Sequence, residues 1–397
     1  MTTTQSEARP STAAASRTSA SSGPRWLTPV VLIALVVALA LVPTLRQTLG
    51  FGAYYVVFGY SLFFWITQAS AWNLFSGFSG YLNFGHAIFY GAGVYVTANL
   101  AKDTAPHVVV LLLLGAGAAA LVALLIGWMV FRRGLAHEIF ALFTFALAIA
   151  FGVLVRNIES IGGGGVLMVG DVSYPPALGS INEMLYYLGL LLAVVSVAAA
   201  WLVQRSRLGM GLAAIRDDER VAETIGVPTF RYKMIALGIA AAIAGASGAL
   251  NAVMVSFIEP EATFGIELSV MVVLMALVGG RRHWAGPVVG ATLMFALSDR
   301  LTGLGMTELS QLLTGALLIL VVVALKGGIY EQWRRRPSAG LLVLLVVMLG
   351  LLLTGVGGGF IEALLWGLLA MVAVLVLPDR WWSAVLKNRK KVTDDAA

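Results

Sequence analysis

The stretch PHVVVLLLLGAGAAALVALLIGWMVF, residues 106–131, carries no charged side chain and shows no alternation of polar and apolar positions. Crossing about 30 Å of hydrocarbon at about 1.5 Å per residue takes about 20 residues, so such a run reads as a membrane-spanning helix. Comparable runs lie at 26–45, 51–73, 77–100, 135–155, 184–203, 231–256, 267–280, 286–301, 308–325, 340–355 and 360–377, which makes twelve expected crossings. In lipid the backbone is satisfied only within helices or closed barrels, and the alternating strands of a barrel are missing. The expected fold class is therefore all-α: a polytopic membrane protein.

Composition agrees. Hydrophobic residues make up 59% of the 397-residue chain and the mean hydropathy is +0.90, against about 45–50% apolar residues in soluble domains. With no cysteine, disulfides, thiol catalysis and cysteine-based metal sites are excluded. The net charge of +6 fits basic loops on the cytoplasmic side better than nucleic-acid binding. Starting with the N-terminus inside, all of the 26 basic residues except Arg46, Lys102, Arg156 and Arg300 fall in the alternate, inner loops. That asymmetry predicts both termini in the cytoplasm. Ala38 and Ala40 offer a signal-cleavage motif, but the apolar stretch is long for a signal peptide and the next span would lose its inner anchor.

The expected domains are a disordered, Ser/Thr/Ala-rich cytoplasmic tail at 1–24, a transmembrane domain at 25–336, a further transmembrane hairpin at 337–380 and a basic cytoplasmic tail at 381–397. Several spans are short or broken by glycine, notably 77–100 and 267–301, where the backbone is expected to bend inside protein rather than against lipid.

Enzyme chemistry finds no foothold. The histidines His86, His107, His137 and His283 are scattered, and HExxH, GxSxG and GxxxxGK[ST] are all missing, so neither a zinc protease, a serine hydrolase nor a nucleotide-hydrolysing P-loop is written here. No cofactor is implied. Glu138, Asp299 and Glu362 lie near span ends, where interfacial solvation explains them.

Three stretches stand out. GFSGYLNFGHAIFYGAGVY, residues 77–95, puts Asn83 and His86 among glycines in a membrane-compatible run. Such residues line a solute pathway or hydrogen-bond a neighbouring helix. RNIESIGGGGVLMVGDVSYPP, residues 156–176, is an extracytoplasmic loop whose four glycines preclude a stable helix, a docking surface, a gate or a plain connector. In the cytoplasmic loop 204–233, Gly209 and Gly211 precede, and Gly226 with Pro228 ends, a short amphipathic helix. Its apolar face is Leu212, Ile215, Ala222 and Ile225, with Arg216, Glu219, Arg220 and Glu223 spaced for pairing on the other.

The ordered blocks SGYLNFGHAIFYGAGVY, ALFTFALAIAFGVLVRNIESIGGGGVL, GLAAIRDDERVAETIGVPTFRYKMIALGIAAAIAGASGAL, ELSVMVVLMALVGG with GPVVGA, and GALLILVVVALKGGIY resemble the permease subunits of branched-chain amino-acid ABC transporters. The resemblance is to the longer of the two paired permease types and covers about residues 50–335, and urea ABC permeases use the same blocks. It implies a bacterial cell-membrane import channel made with a second permease subunit as a heterodimer, powered by two cytoplasmic ATPase subunits and fed by an extracytoplasmic solute-binding protein. From the residues themselves, a solute pathway is expected beside Gly80, Asn83, Gly85, His86 and Phe89. The charged loop then resembles the family's ATPase-coupling element, at Ala214, Ile215, Arg216, Asp217, Asp218, Glu219, Ala222, Ile225 and Gly226, with Ile215, Ala222 and Ile225 expected to enter an ATPase groove. Met210 and Ala213 stand where relatives often have basic residues, and Arg281, Arg282 and His283 where small or polar ones are usual. Uptake of branched-chain or other hydrophobic amino acids is the expected function. Urea or short-amide import, and a secondary transporter or channel acting alone, are the alternatives.

Overall fold

The computed structural model describes residues 27–44, 53–133, 137–161, 163–303, 312, 315 and 328–331. The tail at 1–24, the hairpin at 337–380, the basic tail at 381–397 and, apart from two isolated residues, the expected span 308–325 lie outside the described residues. Helix α1, Leu27–Ala40, belongs to a unit of its own and exposes Ile33 and Val37.

The larger unit is an all-helical bundle. Its helices are α2 Tyr54–Trp72, α3 His86–Ala101, α4 Val108–Phe131, α5 His137–Arg156, α6 Ile181–Arg205, α7 Arg207–Asp217, α8 Glu219–Thr224, α9 Thr229–Val255, α10 Pro260–Phe264, α11 Ile266–Gly279 and α12 Gly286–Gly303. Among the described residues, α4, α5, α6, α9 and the joined α10–α11 stretch Pro260–Gly279 are long and apolar enough to cross a membrane.

Apolarity does not decide which helix is central. The α4 window has a mean hydropathy of 2.9 and is 28% buried, whereas the α9 window has 1.7 and is 67% buried. Lipid tails are as apolar as leucine, so helices associate where small residues let backbones approach, not where hydrophobicity peaks. Helix α9 packs against α4, α3, α2 and α6 through Ala241, Ala244, Gly245, Gly248 and Ala249, all buried. A Cβ on Gly93 of α3 would sit 1.9 Å from the Gly245 carbonyl oxygen, so only glycine fits that crossing.

The expected span 77–100 is not one helix. After α2 comes one π-helical turn, Asn73–Gly77. The chain leaves helical geometry at Gly80 and resumes at His86. The break lies inside protein, with Tyr81, Asn83 and Gly85 buried, as lipid requires of irregular backbone.

The bundle has two contrasting ends. At one, the connection between α5 and α6 is tied down along its length. Its strand β1, Leu167–Met168, pairs antiparallel with β2, Phe257–Ile258. The Val169 amide donates to the Ser256 carbonyl at 2.9 Å, and Ser173 exchanges backbone bonds with Pro106 and Val108. This short ribbon was not expected from the glycine run, because two-residue strands carry no readable alternation. At the other end sit α7, α8, the loop 280–285 and residues 328–331, where Gly328 packs against Gly280.

Candidate functional site

The irregular segment 80–85 is held by side chains reaching backbone. Asn83 Oδ1 accepts from the Gly85 amide at 2.8 Å, and the Asn83 carbonyl accepts from Trp72 Nε1 at 2.7 Å. The Asn83 amide donates to Ser76 Oγ at 3.3 Å and the Phe84 amide to Thr144 Oγ1 at 3.1 Å. At the start of α3, the Ala87 amide donates to Ser269 Oγ at 3.0 Å, and His86 Nε2 pairs with Gln68 Oε1 at 2.8 Å. The predicted pathway residues Gly80, Asn83, Gly85, His86 and Phe89 thus share one region. Asn83 and Gly85 form its turn. His86 and Phe89 are buried within the chain, at 1% and 3% exposure. The Gln68 Nε2 beside His86 is buried and has no hydrogen-bond partner among the described residues. Sequence reading missed Gln68, because it sits in α2, outside the block that drew attention.

The charged stretch forms an elbow rather than the single short helix expected between Gly211 and Gly226. Asp218 is extended, with φ −164° and ψ 114°, and it ends α7 while capping α8. Its carboxylate accepts from the Arg220 and Val221 amides at 2.9 and 3.1 Å, the N-cap role in which aspartate is favoured. Gly209 and Gly211 therefore lie inside α7 instead of preceding it. Gly226, at φ +85°, follows the end of α8.

The apolar face also turns out differently. Leu212, Ile215 and Ala222 are buried at 0%, 0% and 1% exposure, in one cluster with the bundle core. Ile215 and Ala222 therefore cannot enter a partner's groove, since the chain's own helices already occupy that face. Met210, Val221 and Ile225 are exposed at 64%, 55% and 70%, alongside the exposed Asp217, Asp218, Arg220 and Glu223, with Ala214 and Arg216 half-buried. The expected Arg216–Glu219–Arg220–Glu223 pairing is replaced by Arg216–Asp217 at 3.4 Å and by Glu223 Oε1 accepting from Thr229 Oγ1 at 2.8 Å.

Glu219 points inward. One carboxylate oxygen accepts from Lys233 Nζ of α9 and the other from the Tyr81 hydroxyl. Lys233 is 2% exposed, with its ammonium 4.9 Å from the ring centroids of both Tyr81 and Phe131, within the range of a cation–π contact. Tyr81 stacks on His137 at 3.8 Å and meets Phe140 edge-on at 5.4 Å. None of Tyr81, Phe131, His137, Phe140 and Lys233 was singled out from sequence. Lys233 is the fifth residue of α9, two after Arg231, and in sequence it reads as one more basic residue at the inner end of a span.

The loop after α11 closes this end. Gln204 donates to the Arg282 carbonyl at 3.2 Å and accepts from the Trp284 amide at 3.1 Å, and the His283 ring stacks on Tyr330 at 4.3 Å. Burial, then repulsion from Arg282 and Arg216, holds the Arg281 guanidinium below its ordinary pKa.

The high-affinity branched-chain amino acid transport permeases LivM of Salmonella typhimurium and Escherichia coli are each 26% identical to the chain over 289 residues. The chain spans 66% of the length of each, and each alignment covers 66% of the chain. The ribose import permease RbsC of Escherichia coli is 25% identical over 137 residues, 34% of this chain and 43% of that protein. No solved structure matches. The profile of the permease component of branched-chain amino acid transport systems matches residues 54–322, from the start of α2 through the Lys233 network and beyond α12, and the chain belongs to that family.

Proposed function

We propose that this ABC-transporter permease imports a branched-chain or other hydrophobic amino acid. A second permease subunit completes the channel, two cytoplasmic ATPase subunits drive it and an extracytoplasmic solute-binding protein feeds it. In this reading the protein is a multi-pass subunit of a bacterial cell membrane with both termini cytoplasmic, and the elbow end faces the ATPases.

The observation that carries the ATPase partnership is the elbow itself. Leu212, Ile215 and Ala222 root it in the bundle while Met210, Val221, Ile225 and a ring of charges stay on the surface. Apolar groups rimmed by charge are what an oriented, reversible contact needs. The solute pathway is proposed beside His86 and Phe89, where the orphaned Gln68 amide supplies a donor for a passing polar group. Irregular membrane backbone such as 80–85 is tolerated where it is buried in protein or lines a cavity. Coverage favours amino acids: the branched-chain permeases align along twice as much of this chain as the ribose permease does, 66% against 34%. Sugar import is the second reading, favoured by that ribose permease and by the L-arabinose permease AraH of Azospirillum brasilense, 25% identical over 35% of this chain.

The test is reconstitution of the full chain with its cognate permease, ATPases and binding protein in ATP-loaded vesicles. Uptake of labelled leucine that exceeds that of ribose and urea is the expected result. Preference for ribose or urea would overturn the amino-acid assignment. Uptake by the chain alone, without ATPase, would overturn the importer reading.

A further inference from the structure

We infer that Tyr81, Glu219 and Lys233 form the mechanical joint through which the α7–α8 elbow moves the irregular segment 80–85. The inference rests on the importer reading for the source of the motion, but the joint itself is a property of this chain.

Each helix of the elbow touches that segment. From α7, the stem of Arg216 fills the space beside Gly80: a Cβ there would lie 2.8 Å from Arg216 Cγ, and Gly80 adopts φ +82°. From α8, Glu219 accepts the Tyr81 hydroxyl. The elbow's other buried side chains, Leu212, Ile215 and Ala222, make apolar, non-directional contacts, and Glu223 bonds to Thr229 of α9 rather than to the segment. The Glu219 contact is directional and charge-assisted.

Lys233 keeps Glu219 turned inward. Its ammonium is buried among Tyr81 and Phe131, and a buried charge that loses its partner is costly. When the elbow shifts, Glu219 therefore carries Tyr81 with it rather than letting go. Downstream of Tyr81, the amides of Asn83, Phe84, Gly85 and Ala87 are all bonded to side-chain acceptors. A pull on Tyr81 strains that short series of bonds, which ends at His86 and the start of α3. Tyr81, Glu219 and Lys233 are positioning residues, since none is argued to touch solute.

Hydrogen exchange of the full chain in nanodiscs tests the joint without any partner. Tyr81→Phe, which deletes one hydroxyl, and the double change Glu219→Gln with Lys233→Met, which removes both charges, should each speed exchange of the amides from 83 to 87 by roughly tenfold, the factor expected from losing a charge-assisted hydrogen bond. Asp218→Ala, which removes only the α8 cap, should speed exchange at 219–225 and leave 83–87 unchanged. If Tyr81→Phe and the double variant loosen 219–225 alone, or nothing, the joint is wrong. In the assembled transporter Tyr81→Phe should keep ATPase binding and basal hydrolysis but lose most of the stimulation by leucine-loaded binding protein. Wild-type stimulation in that variant would also overturn the joint. A wild-type chain that binds no ATPase would instead overturn the importer reading, while the exchange result would still decide the joint.

Discussion

Each end of the bundle carries an acid–base pair that bridges two helices, and the two pairs differ mainly in what surrounds them. At the loop end, Arg156 at the close of α5 meets Glu261 of α10 at 2.7 Å, with the side chains 48% and 62% exposed. At the elbow end, Lys233 of α9 meets Glu219 of α8, with the side chains 3% and 20% exposed. Water and salt screen the first pair, and exposed pairs contribute about 0–1 kcal/mol. The second pair has given up most of its hydration, so each partner depends on the other. The loop end holds together through its backbone bonds and ribbon, with the ion pair added on top. Among the described residues the elbow end has no such ribbon, and buried apolar anchors and the Glu219 contacts do that work instead. On the proposed coupling role, the elbow end needs contacts that transmit force without welding backbone to backbone.

The largest effect expected from this contrast is at Glu219. Glu219→Ala leaves the Lys233 ammonium buried without its carboxylate and should cost about 3–5 kcal/mol, read from chemical unfolding of the solubilised chain. Adding Lys233→Met should recover most of that loss, because a buried pair replaced by apolar groups is often neutral. If Glu219→Ala proves no worse than Glu261→Ala, burial is not what separates the two ends.

A smaller effect is expected at Ala222, and it sharpens the account of the elbow. Ala222 packs within the chain's own core at 1% exposure, so Ala222→Trp should overfill that site and destabilise the isolated chain by about 1–3 kcal/mol. Ile225, at 70% exposure, should behave oppositely. Ile225→Asp should leave the chain's own stability within about 0.5 kcal/mol and weaken co-purification with the ATPases. A reversed pattern would mean that the two faces of the elbow have been exchanged.

These two residues also mark where sequence stops being sufficient. The spans expected at 106–131, 135–155, 184–203 and 231–256 correspond to α4, α5, α6 and α9 with ends shifted by a few residues, because a run of about 20 apolar residues has few other uses. Periodicity placed Ile215 and Ala222 on one face, but it carries no information on whether that face meets the chain itself or a partner. The bend at Asp218 was available in principle, as an aspartate ahead of Glu219 is a good helix cap. It was overlooked because the 3.6-residue pattern continues on both sides. The joint was not available at all: Tyr81 and Glu219 are 138 positions apart, beyond the reach of any local pattern. The break at Gly80 lies between these cases, since glycines announced a bend but not its hydrogen-bonding partners.

The smallest expected effect lies in the exposed pair, and salt gives the most direct way to tell it from the buried one. Arg156 closes α5 and Glu261 sits in the first turn of α10, so each charge is also at the helix end that favours it, by about 0.3–1 kcal/mol at low ionic strength. Glu261→Ala alone would mix that contribution with the ion pair. A double-mutant cycle on Arg156→Ala and Glu261→Ala isolates the pair and should give a coupling below about 1 kcal/mol. Raising the salt from 0.1 M to 1 M shortens the screening length from about 10 Å to about 3 Å, which should erase most of that coupling. The matching cycle on Glu219 and Lys233 should barely change over the same range, because little solvent reaches those side chains. If the Arg156–Glu261 coupling survives 1 M salt, or exceeds that of the buried pair, then electrostatics rather than backbone bonding grips the loop end, and the contrast between a fixed end and a movable one fails.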